Sequence, residues 1–182
     1  MAIENTLKGF RAVGWTAPSE VLRAWAGAHT CLGHGVLRWS DLQHSRDITF
    51  SKDAVLGVTW RMQRRQVQVP WAALRVGWSG QVVGNEWLHV LGWNNMPGED
   101  FVMLAQMADC SSLRPTIANV DHAQAAMRAL LLLLVFDDSE AMFFSCHSWR
   151  HFHPSAARQL QMGAVGCNDM GHWAHNSGMP QW

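Results

Sequence analysis

Apolar residues along this chain fall into two helix-like stretches that flank a block with strand-like character. Ser19 precedes Glu20-Val-Leu, and Val21, Leu22, Trp25, Ala28 and His29 recur at helical spacing. That pattern predicts an amphipathic helix with Ser19 as its cap. Gly33 and Gly35 mark its expected end, and a short helix is predicted over residues 37–44. Three segments rich in β-branched residues come next: 47–51, 54–61 and 66–70. With Ser51-Lys-Asp53 and Gln63-Arg-Arg65 as turns, they predict a three-stranded antiparallel sheet. Pro70, followed by Trp71, Leu74 and Trp78, suggests another helix that opens on the proline. Asn94 to Gly98 reads as a loop. Asp121 is placed to cap a helix running to Val135, and Asp137-Asp-Ser-Glu140 reads as a break before the terminal block. The fold class predicted is α+β, mainly α, with a small antiparallel sheet.

The length of 182 residues and 48% hydrophobic content suit one domain with a real core. Residues 1–17 read as a leader or the remnant of an upstream segment, and 18–182 as the domain. Formal net charge is zero, so bulk charge lends nucleic-acid binding no support, although positive residues can still cluster locally. Twelve of the fourteen positive residues are Arg, whose planar fork grips phosphate in two places at once. The four cysteines, Cys31, Cys110, Cys146 and Cys167, form no CxxC pair and suit a reduced intracellular protein. The apolar run 129–136 is shorter than the roughly 20 residues that a bilayer requires.

Three short boxes carry candidate chemistry. Leu37-Arg38-Trp39-Ser40-Asp41-Leu42 comes first, with Asp41 one helical turn from Arg38. His147-Ser-Trp-Arg150 places a histidine and an arginine three residues apart, on one face of a helix. Pro154 then calls for a kink, or for a helix proper that begins near it. Gly171-His172-Trp173 is the third box. Arginines on separate elements can clamp one phosphate from two directions, and histidines can donate to its oxygens or manage a proton.

An Arg, a His-x-x-Arg and a Gly-His in this order resemble the catalytic signature of tyrosine recombinases, the phage-integrase-like DNA strand transferases. The resemblance covers residues 19–182 and is closest to eukaryotic mobile-element members. It implies Arg38, His147, Arg150 and His172 as catalytic residues, and a reaction that breaks and rejoins DNA through a 3′-phosphotyrosyl link. The link conserves the bond energy, so no metal or other cofactor is implied. DNA is the implied partner, with copies assembling on it and no membrane. An intracellular setting follows, nuclear if the source is eukaryotic. The family's tyrosine, which follows the Gly-His, has no counterpart, because the chain contains no tyrosine. The resemblance therefore implies a domain truncated before its nucleophile and inactive as it stands.

The family also places a lysine on a β-hairpin after the first arginine. Here that hairpin carries Arg61, Arg64 and Arg65, and Lys52 lies in the preceding turn. These four are the expected further DNA contacts. Two alternatives are a non-catalytic DNA-binding remnant of a mobile element and, less favoured, a metal-binding domain built from Cys146, His147, His151, His153, Cys167, His172 and His175.

Overall fold

The computed structural model describes residue 9 and residues 19–61, 67–75, 102–109, 111–134 and 136–166. The 1–17 leader (apart from Gly9), the Gln63–Arg65 turn, the Asn94–Gly98 loop, and Cys167, His172 and His175 lie outside them.

Helix α1 spans Glu20–Gly35, and the Ser19 hydroxyl accepts the Leu22 N–H at its start. It includes Gly33 and ends at Gly35, where the glycines were expected to end it. Its end is a left-handed Val36, φ 51°, with the Leu37 N–H returning to the Leu32 carbonyl. A β-branched residue in that region is strained, since its Cβ crowds the following carbonyl. Helix α2 is short, Trp39–Gln43.

Strands β1 (Ser45–Phe50), β2 (Ala54–Arg61) and β3 (Val67–Leu74) form an antiparallel sheet in that order. A bulge between Arg46 and Thr49 contains Asp47 at φ 52°. Strand β3 corrects the expected helix after Pro70, because the chain stays extended through Leu74 and Pro70 pairs with Val58. Strand β3 is an edge of the sheet, where proline's missing N–H costs little. Gly57 is required by this packing: a Cβ there would lie 2.4 Å from the Trp71 ring.

A second, two-stranded sheet, β4 (Leu104–Gln106) with β5 (Leu113–Ile117), had no counterpart in the sequence reading. Helix α3 covers Val120–Leu133. Its cap is Asn119 rather than Asp121, in a reciprocal box with His122. Asp137 likewise caps a short helix α4 (Asp138–Met142) through Glu140, where a break was expected. A 3-10 turn, Ser148–His151, leads into α5 (Phe152–Gln159). Pro154 falls in the first turn of α5, where a backbone N–H would have no helical partner anyway.

The core lies between α1, α3 and the sheet. Trp25, Leu32, Leu42, Val55, Met127, Leu130 and Leu131 are almost fully buried there, and Trp25 stacks on Trp39 at 5.3 Å. On α3 the buried positions 123, 126, 127, 130 and 131 form one helical stripe. Among the described residues no helix is long and apolar enough to cross a membrane.

Candidate functional site

The short helix α2 is tied to both sheets, and this fixes the segment that carries Arg38. The buried Gln43 side chain donates to the Met103 and Ala118 carbonyls at 2.8 and 2.7 Å and accepts the Met103 N–H at 2.9 Å. The Asp41 carbonyl accepts from Thr59 Oγ1 at 2.6 Å and from Ser45 Oγ at 2.7 Å. Ser45 Oγ in turn accepts the Trp71 indole N–H at 2.7 Å. One carbonyl of α2 is thereby tied to β1, β2 and, through Trp71, β3. Arg38 itself is the N-cap of α2, with extended backbone and an exposed side chain.

A cleft of about 60 Å³ opens beside this junction. Leu37 and Asp41, which flank Arg38, form one side; Thr59, Pro70 and Trp71 form the sheet side; Arg150 closes it. That volume holds a few waters or one compact anion. Arg150 is only 4% exposed and is delivered by the 3-10 turn. His147 sits just before that turn and is exposed. Its ring lies 5.2 Å from the ring of His151, edge to face. Partial burial, then the His151 ring and the positive charges of Arg150 and Arg38, hold the His147 pKa below the ordinary histidine value. His147 therefore lies within electrostatic reach of Arg150, its neighbour in the same box, and of Arg38, more than a hundred residues earlier in the chain.

The other anticipated residues fall elsewhere. Lys52 is exposed in the β1–β2 turn, and Thr59 lies about 17 Å further along β2 at the strand rise of roughly 3.4 Å per residue. Lys52 thus stands at the end of the hairpin remote from the cleft. Arg61 closes β2 at the cleft end. Arg64, Arg65 and His172 lie outside the described residues.

Among the described residues no three His, Cys, Asp or Glu side chains gather as metal ligands would. Cys146 is buried, which pushes its thiol up to about 12. His34 and His153 are buried with ring centroids 6.5 Å apart. Burial, with the charge of His153, lowers the His34 pKa to about 4.

Two further residues bear on the site without having been anticipated for it. Gln124 of α3 and His29 of α1 both bond to the segment that carries His147 and Arg150. His29 was read only as part of the helical stripe. No local signal exposes such bonds, because their partners are 20 to 120 positions away.

No protein-family model matches the chain, and no curated protein does. Among solved structures it is similar to a FLP recombinase–Holliday junction complex, with a TM-score of 0.55 and 11% sequence identity. The fold is recombinase-like. The similarity covers 97% of this chain and 44% of the recombinase chain, so this chain spans less than half the length of that protein.

Proposed function

We propose that the cleft closed by Arg150, with Arg38 and His147 close by, binds a backbone phosphate of DNA, and that the chain is the phosphate-gripping part of a recombinase-type domain. The observation that carries this reading is that His147 feels the positive charges of both Arg150, which lines the cleft, and Arg38, which adjoins its Leu37 wall. An anion placed near two arginine side chains is attracted by both positive charges. Arg38 and Arg150 approach from different elements, which suits the separate non-bridging oxygens of a phosphodiester. A His147 held neutral by its surroundings can donate one hydrogen bond to phosphate or accept a proton from a reacting hydroxyl.

Within this reading, Arg61, Arg64 and Arg65 extend the grip along the backbone from the β2–β3 end, and Lys52 makes at most a peripheral contact. His172 enters this reading through the resemblance of its Gly171-His172 box. A mobile-element origin, assembly of copies on DNA and a nuclear setting belong to the same proposal. Because the chain contains no tyrosine, it binds DNA without forming a phosphotyrosyl link.

Binding to a short duplex, followed across a salt series, tests the reading. Affinity should fall steeply with salt, since each neutralised phosphate releases condensed counterions. Affinity that is absent or indifferent to salt rejects DNA binding. A nicked suicide substrate should yield no covalent adduct; a stable protein–DNA adduct would show that another side chain attacks.

A further inference from the structure

The strap from Phe144 to Arg150 delivers both His147 and Arg150, yet it has no regular structure before residue 148. Side chains from two helices tie it down. Gln124 donates from Nε2 to the Phe144 carbonyl at 2.6 Å and accepts the Cys146 N–H at Oε1, 3.0 Å. One planar amide thus holds the strap at two points, fixing both its position and its tilt. The second tie lies on the other side of His147. Trp149 donates its indole N–H to Nδ1 of His29 at 3.2 Å, and Nε2 of His29 meets the Ala123 carbonyl at 3.1 Å. An indole nitrogen only donates and a carbonyl only accepts, so His29 carries its proton on Nε2. Both ties end on neighbouring residues of α3, Ala123 and Gln124. Neither Gln124 nor His29 lines the cleft.

We propose that Gln124 and His29 are positioning residues: together they hold the strap in the one register that sets His147 and Arg150 against Arg38. The proposal rests on the phosphate reading of the cleft. A purely structural role would lower the melting temperature and leave the affinity of the folded protein unchanged. A positioning role lowers the affinity of the folded protein, because a displacement of the strap separates the two arginines that share one anion.

The test uses the full chain and a short DNA duplex at one salt concentration, with thermal melting recorded in parallel. Gln124→Met removes both strap bonds at similar volume and should weaken binding about tenfold in protein that is still folded, the scale of a lost bidentate tie. His29→Leu should do the same, whereas His29→Gln, which keeps one donor and one acceptor, should recover most of the affinity. The ring resonances of His147 should move toward those of an isolated histidine in Gln124→Met. Combined with Arg150→Ala, Gln124→Met should add little further loss, because both act through one group. If Arg150→Ala binds like the parent, the phosphate reading itself fails. If Arg150→Ala weakens binding but folded Gln124→Met and His29→Leu bind like the parent, the positioning proposal alone fails. Should those two variants not fold, Trp149→Phe removes the indole donor while keeping an aromatic ring, and unchanged affinity there overturns the proposal.

Discussion

Trp149 and His29, 120 residues apart, are joined by an indole-to-imidazole hydrogen bond of 3.2 Å within the core. Trp149 is the immediate neighbour of Arg150, so the bond links helix α1 to the candidate phosphate cleft. It requires a neutral imidazole with a free Nδ1 lone pair.

Acid should therefore loosen the fold through this bond. Burial lowers the pKa of His29 from 6.5 to about 4. Between those values the unfolded chain binds a proton that the folded chain refuses, so stability is full above about pH 6.5 and declines as pH falls toward 4. The contribution of His29 across that window is on the order of 3 kcal/mol. His34, lowered to about 4 as well, acts in the same window and the same direction. Denaturant midpoints recorded at several pH values should show the decline, and His29→Gln should flatten it in part. An unchanged slope in that variant argues against a neutral, buried His29.

Gln43 should be among the least replaceable polar residues. Its amide satisfies two carbonyls and one N–H where α2 meets β4 and β5. Gln43→Leu strands all three and should cost roughly 3 kcal/mol, since an unsatisfied buried polar group costs about 1–3 kcal/mol. Urea unfolding measures this directly, and a loss below about 1 kcal/mol would mean that water replaces the amide.

Gly57→Ala should destabilise the sheet by about 2 kcal/mol, the usual scale for overpacking. The new methyl collides with the Trp71 ring and pushes its indole N–H off Ser45. The Trp71 indole N–H resonance reports the displacement, and an unshifted signal would show that the ring has room to yield.

Arg38 and Arg150 should differ when each is replaced. Arg38 is exposed, so Arg38→Ala should reduce the salt slope of DNA binding by about one unit with little change in melting. Arg150 is buried, so Arg150→Ala should lower both affinity and stability. Equal melting losses in the two variants would contradict their different burial.

Local sequence was sufficient at the start of α1 and across the β1–β2 turn, where the partners lie close in the chain. Ser19 meets Leu22 three positions on, and β1 and β2 are joined across the short Ser51–Asp53 turn, so helix start and sheet order were both legible. Pro70 misled because proline opens helices and also tolerates edge strands, and only its pairing with Val58 decides between the two. Asn119 and Asp121 are both good caps, and the backbone turn at Asn119 settles which one serves. The boxes around Arg38, His147 and Arg150 could be named from their order, while the placement of their segments rests on the Asp41–Thr59 and Trp149–His29 bonds. Those bonds join residues far apart in the chain, and no local preference encodes them. By itself the sequence determined which residues have the chemistry to hold a phosphate. Tertiary structure alone decided that Arg38 and Arg150 both come within electrostatic reach of His147, because packing α1 and α3 into one core with the sheet brings together residues more than a hundred positions apart.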